Sequence, residues 1–233
     1  AIRREKLAAL QAEGRDPFQI TKFDFDADSA AIKANYEAYE GKIVITMVGR
    51  LAREKRQDLI IRAAAKSQYA DQIQLVFAGK GPLQKEYERL SQRIGLKHRP
   101  AFVYYNQEQL IDLLAQTDVY VHASDMESEA IACIEAFATG VVPVISNSEL
   151  SATKSFALDN RSLFEAGDAQ DLANKIDYWL NHPQDRKIMG KRYANEAKKY
   201  SLERSVESFV AMCEDMLRLQ SGMAMGYEIS PQL

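Results

Sequence analysis

The sequence predicts an α/β fold, a Rossmann-like parallel sheet with helices on both faces, preceded by a short helical arm. Three observations predict it. Two styles of sequence meet near Gly41, charged and helix-forming before it and richer in β-branched residues after it. After that point strands and helices alternate, the pattern of βαβ units that build a parallel sheet with right-handed crossovers. The first strand candidate, residues 43–48, is a β-branched apolar run of the kind covered on both faces.

Taken in order, residues 2–13 read as an exposed helix rich in Arg, Lys, Glu, Ala and Leu that ends near Gly14. A loop at Asp16-Pro17 and a polar stretch with Asp24, Asp26 and Asp28 follow, and Asp28-Ser29 caps a second helix over 30–39. Strands are then expected at 43–48, 74–78, 101–104, 119–121 and 142–145. The helices between them are expected at 57–67, 82–94, 107–116 and 130–139. Three more helices, 169–181, 185–199 and 202–219, follow, the last with Ser201 as its N-cap. The division is a helical arm over 1–40, one α/β domain over 41–220, and a flexible tail over 221–233 carrying Gly222, Gly226 and Pro231.

The 233 residues are 46% hydrophobic and 27% charged, enough apolar material for a sizeable core. A formal net charge of -3 supplies no basic footprint for nucleic acid. Cys133 and Cys213 stand far apart and match no metal or redox spacing, as for thiols of a reducing compartment. No apolar run of about 18 residues is present, and the charged residues 1–6 lack a signal-peptide core. The expected location is the cytoplasm, with the inner membrane surface as the variant for a lipid substrate.

Ligands of parallel sheets sit beyond the carboxyl ends of the strands, so the strand-to-helix loops are the places to search. The first, Gly49-Arg50-Leu51-Ala52-Arg53-Glu54-Lys55, puts two cations, Arg50 and Lys55, above a helix N-terminus. That suits a diphosphate and equally suits a solvated basic turn. The second, Gly79-Lys80-Gly81-Pro82, is a tight turn with room for a ligand, but it lacks the full dinucleotide fingerprint and the Ser or Thr of a P-loop. The third holds Glu127 in a loop and Glu135 eight positions on, two turns into the next helix. Amides near Glu129, Ala130 and Ile131 are free to hold a phosphate or sugar oxygen. Carboxylates accept from vicinal hydroxyls with charge-assisted bonds. Glu135 lies among Ile131, Ile134 and Phe137, where an acid requires a partner.

In this order the three loops resemble the C-terminal domain of the family-4 retaining glycosyltransferases, which have a GT-B fold. The matching elements are Gly49-Arg50-Leu51 with Lys55, the turn Gly79-Lys80-Gly81-Pro82, and Glu127 with Glu135 after seven intervening residues. Ala136, Gly140 and Pro143-Val144-Ile145 complete the set, and the resemblance covers 41–219. It implies that Arg50 and Lys55 bind the donor diphosphate, Glu127 the hexose and Glu135 the ribose. Gly49, Gly79 and Gly81 would shape the loops, and the backbone of 103–105, around Tyr104, would line the base pocket. It implies a nucleotide-sugar donor, UDP-linked rather than GDP-linked by preference, no metal, and an acceptor held by a separate N-terminal domain. The family's Glu-Gly-Phe-Gly is replaced by Glu127-Ser128-Glu129-Ala130, which leaves Glu129 as an alternative hexose ligand. Ser151-Ala152-Thr153-Lys154, Phe156-Ala157-Leu158-Asp159 and Arg161-Ser162-Leu163-Phe164 are similar to a subgroup acting on bacterial lipids and polysaccharides.

The first forty residues resemble something else. Arg3-Arg4-Glu5-Lys6-Leu7, Gly14-Arg15-Asp16-Pro17-Phe18, Thr21-Lys22-Phe23 and Glu40-Gly41-Lys42 look like the N-terminal arm of a bacterial lysyl-tRNA synthetase. A fusion, natural or made, with a junction at the shared Gly-Arg-Leu would join the two. Two rival readings stand beside the transferase: a non-catalytic nucleotide-binding or interaction module with a synthetase-like arm, and a sugar-nucleotide epimerase. For the latter, His122 at a strand end is the one histidine retained over His98 and His182. The helix 202–219 carries Val206, Phe209, Val210, Met212, Cys213, Met216 and Leu217. Core packing is its expected role, with dimerisation or peripheral membrane contact as the alternatives.

Overall fold

The computed structural model describes residues 39–225, with side chains through residue 218. The expected arm elements before residue 39 lie outside the described residues, as does the tail after residue 225. Among the described residues six strands form one sheet: β1 (Ile43–Val48), β2 (Ile73–Ala78), β3 (Ala101–Val103), β4 (Val119–His122), β5 (Pro143–Ser146) and β6 (Leu163–Phe164). Every pairing is parallel and the order is β3-β2-β1-β4-β5-β6. The order reverses between β1 and β4, which are in register at Ile45 with Val119. The loops leaving these two strands therefore diverge and open a crevice between them.

Helices α1 (Gln57–Ala64), α2 (Gln84–Ile94), α3 (Gln107–Ala115) and α4 (Ile131–Ala138) follow β1 to β4 in turn. Then α5 (Ala169–Asn181), α6 (Pro183–Ala197) and α7 (Leu202–Met225) follow β6. The central strands are covered on both sides, as their unbroken apolar runs require. Ile45, Met47, Leu75 and Phe77 belong to the larger core cluster. Their neighbours Val44, Val76 and Ala78 point the other way, into a smaller cluster with Leu113 of α3.

The elements fall where the sequence placed them, with shifts at their ends that have local causes. α1 stops at Ala64, short of the expected residue 67. There Ser67 Oγ and the Gln68 amide turn to the Asp177 carboxylate on α5. α2 begins at Gln84 because Leu83 still donates its amide to the Leu51 carbonyl, 3.3 Å away. α6 starts earlier than expected, with Pro183 in its first turn, and tightens after Ala197 into a 3-10 turn at Lys198–Tyr200. Strand β6 was not foreseen: two residues carry no periodicity, and it exists through pairing with β5 and the Asn147 amide on the Phe164 carbonyl.

Helix α7 corrects two expectations. It runs on through Met225, so residues 221–225 are helical rather than tail. Ser201 does cap it, accepting from the Arg204 amide at 3.3 Å. Its side chains from 202 to 218 do not contribute to the core: every one is exposed, Phe209 at 61% and Leu217 at 63% among them.

Candidate active site

The loop after β1 is stitched to the loop after β2. Gly49 donates its amide to the Ala78 carbonyl, Leu51 to that of Lys80, and Gly79 to that of Val103. A Cβ on Gly79 would lie 2.0 Å from the Gly49 carbonyl oxygen, and one on Gly81 2.2 Å from that of Leu51. The place a Cβ would take at either glycine is thus filled by the backbone of the β1 loop. Gly79 and Gly81 let two loops touch, and neither lines the cleft described next. Buried Gln57 donates from Nε2 to the Arg50 carbonyl, so the loop is also held from α1.

This loop ends in a 3-10 turn, Arg53–Lys55, which swings Lys55 inward. Its Nζ bonds the Glu127 carboxylate, and both side chains are largely buried. The backbone of Glu127 is itself fixed: it bridges to Ser151, and its carbonyl accepts from the Ala152 amide at 3.0 Å. His122, at the end of β4 and almost fully buried, places Nε2 3.6 Å from Glu127 Oε2. That distance is long for a hydrogen bond, and among the described residues Nε2 has no other partner. The His122 imidazole and the Lys55 ammonium together outweigh desolvation and hold the Glu127 carboxyl down at about 2.

Helix α4 starts from Ala130, which is buried and adopts φ 47, ψ 54, a left-handed conformation that no side chain caps. The first-turn amides of the helix therefore lack a side-chain acceptor at the cleft. Gly49, Arg50, Lys55, Glu127, Glu129, Ala130 and Ile131 line one cleft of about 440 Å³, floored by Val48 and His122. Arg50 is 68% exposed and reaches Glu54 at 2.9 Å. Glu129 is exposed while Glu127 is held by Lys55, which separates the two acids the sequence left as alternatives.

Glu135 sits on α4, half-buried and outside the residues lining the cleft. Its carboxylate makes no hydrogen bond or ion pair among the described residues, so the expected partner is absent, and burial alone pushes its pKa up. Tyr104 is 69% exposed and its ring carries the Lys80 ammonium 3.9 Å from the centroid. Sequence reading missed Arg56 and Asp125: the Arg56 guanidinium bonds both Asp125 oxygens at 3.2 and 3.1 Å, tying the β1 loop to the β4 loop. The Asp125 amide also donates to the Glu54 carbonyl at 2.9 Å. Neither contact has a signature in local spacing.

Fold and site define a class: a doubly wound α/β domain with a cleft at its strand-order switch, lined by two cations, Arg50 and Lys55, and two carboxylates, Glu127 and Glu129. The sequence matches the family described as "Glycosyl transferases group 1" over residues 28–198, and the chain belongs to that family. The catalytic domain of cholesterol-alpha-glucosyltransferase from Helicobacter pylori is 46% identical, with 68% of this chain and 99% of that one covered and a TM-score of 0.65. Alr3699/HepE from Anabaena, solved with UDP-glucose, shares the fold at 19% identity, covering 82% of this chain and 54% of that one, with a TM-score of 0.70. A lysine–tRNA ligase of Clostridium perfringens is 42% identical over 62 residues, 27% of this chain and 12% of that protein. The chain spans only part of its curated relatives, 27% of an uncharacterized glycosyltransferase from Methanocaldococcus jannaschii, to which it is 33% identical over 45% of its own length. No helix among the described residues is long and apolar enough to cross a membrane.

Proposed function

We propose that this chain is the donor-binding half of a retaining hexosyltransferase that takes a UDP-sugar and serves a lipid or saccharide acceptor held by a second domain. One observation carries the reading: Arg50, Lys55, Glu127 and the start of α4 converge on one cleft at the strand-order switch. A diphosphate there accepts from the Arg50 guanidinium, the Lys55 ammonium and the free α4 amides, so the charge on the leaving nucleotide is met without a metal ion. Glu127, ionised at neutral pH, receives hexose hydroxyls. Glu135, unpartnered and half-buried, is an acceptor for the ribose.

In the reaction the bond between the anomeric carbon and the phosphate oxygen breaks. The acceptor oxygen bonds to that carbon on the same face, and its proton passes to the leaving phosphate. The identity to a domain that makes an alpha-glucoside supports both glucose and retention, because sugar nucleotides of glucose are themselves α-linked. It also supports a lipid acceptor and a place at a membrane surface.

Calorimetry with UDP and GDP on the wild type, Arg50→Ala and Glu135→Ala tests the donor site. Binding of UDP that both substitutions weaken by tenfold or so is expected, at roughly 1–3 kcal/mol per lost charged hydrogen bond. Binding that neither substitution changes, or none to either nucleotide, overturns the reading and favours an interaction module.

A further inference from the structure

A second concavity lies beside the donor cleft, in the groove between α1 and α2, with a volume of about 370 Å³. Four arginines line it, Arg53, Arg56, Arg62 and Arg93. In a chain of formal net charge -3 such a gathering is against the average. Three acids, Asp58, Glu86 and Asp125, share the lining with the four arginines, so the groove is cationic by one formal charge. Asp58 and Asp125 are both engaged by Arg56, at 3.2 and 3.1 Å. Arg53, Arg62 and Arg93 are exposed, with no ion pair or hydrogen bond of their side chains among the described residues, while both aspartates lie toward Arg56. Cations crowded in this way repel one another, and a bound anion removes that repulsion.

Leu83, Tyr87 and Leu90 supply the apolar part of the lining. Tyr87 and Leu90 are buried, and Leu83 packs on the core. Tyr87 spends its hydroxyl on the Ala52 carbonyl, 3.2 Å away, which leaves its ring to the groove wall. Low-dielectric lining of this kind strengthens the attraction for an anion seated beside it and accepts an organic substituent attached to that anion. All four cations are arginines, whose planar forks match phosphate oxygens in pairs where lysine acts as a point charge. We propose that the α1–α2 groove is a second, separate binding site for a phosphate ester. The phosphate belongs either to a phospholipid headgroup or to a free small molecule, and its chemistry is the same in both.

The test has two arms, both on the full chain. One measures co-sedimentation with vesicles of phosphatidylcholine alone and of phosphatidylcholine with phosphatidylglycerol. The other measures calorimetric binding of glycerol 1-phosphate. Binding in at least one arm is expected, and binding to anionic vesicles alone identifies the headgroup as the source. The double variant Arg62→Glu, Arg93→Glu should weaken it about tenfold or more, from the loss of two charge-assisted contacts. Glu86→Gln should tighten it several-fold. Lys187→Glu with Lys191→Glu, exposed lysines on α6, makes the same change of charge elsewhere and should leave it within about twofold, given surface screening. Thermal melting checks that the arginine double variant folds, with Arg62→Gln, Arg93→Gln as the milder alternative. No binding in either arm overturns the proposal. Equal losses from the arginine and lysine pairs overturn it too, since they would show a response to bulk charge.

Discussion

Replacing Glu127 by glutamine separates the two tasks assigned to the donor cleft. The substitution keeps shape and removes one negative charge from a carboxylate bonded by Lys55 and faced by His122. A phosphate oxygen accepting from Lys55 would lie within roughly 5–6 Å of that carboxylate, where like charges repel by about 1 kcal/mol in a partly solvated site. UDP alone should therefore bind the variant about fivefold more tightly, as that repulsion disappears. UDP-glucose gains the same relief but loses charge-assisted bonds from its hexose hydroxyls, about 1.5–3 kcal/mol. The ratio of UDP-glucose to UDP affinity should fall by roughly one to two powers of ten.

Calorimetry with both ligands reads this ratio directly. Thermal melting supplies the control. Holding the Glu127 carboxyl at about 2 instead of 4.5 sets a ceiling near 3 kcal/mol on what the ionised group contributes, and solvent at the cleft reduces it to about 1–2 kcal/mol. That corresponds to a melting shift of a few degrees for a domain of this size, so the variant stays folded. If UDP and UDP-glucose affinities change by the same factor, Glu127 does not contact the hexose and the assignment fails. If UDP weakens, the carboxylate helps position Lys55 for the diphosphate rather than competing for it.

Further outcomes follow from the same geometry. Because the Glu127 pKa is depressed on folding, its contribution is complete above about pH 4.5 and lost as pH falls toward 2; acid titration followed by circular dichroism should be shallower over that window in Glu127→Gln. Ala130→Gly should stabilise the protein by about 0.5–1 kcal/mol, since the left-handed backbone at φ 47 costs alanine more than glycine, and an unchanged or lower melting temperature would refute this. Gly190→Ala should cost about 1–3 kcal/mol, because its Cβ would meet the Gly140 carbonyl oxygen at 2.1 Å where α4 packs on α6; chemical denaturation measures it. Phe209→Ser on exposed α7 should change stability by less than about 0.5 kcal/mol, and a large loss, or a change in sedimentation coefficient, would show that this face is covered by another copy.

What the sequence made legible is what repeats or has local chemistry. The β-branched run at 43–48 and the helix at 169–181 recur at those residues, because pattern decides them locally; in the helix Asp168 adds a cap, accepting from the Gln170 and Asp171 amides. The cleft was legible through Arg50, Lys55 and Glu127, since strand ends select the loops before any side chain is placed. Contacts between loops were not. Nothing near Arg56 announces Asp125 sixty-nine positions on, and nothing in Gly79-Lys80-Gly81 tells a turn that admits a ligand from one that admits another loop. The pair Glu127 and Glu135 shows most clearly why. Spacing presents them as equivalent carboxylates two turns apart, yet folding drives them in opposite directions. His122 and Lys55 keep Glu127 ionised far below neutrality, while burial without a partner raises Glu135. A carboxylate already compensated by protein cations can accept neutral hydroxyls and stay charged through a reaction that builds positive charge on the sugar. One left uncompensated is completed only when a donor arrives, so its ionisation is linked to binding. On the proposed roles, ribose binding should lower the raised Glu135 pKa and release a fraction of a proton where that group titrates, while hexose binding at Glu127 should be proton-neutral there.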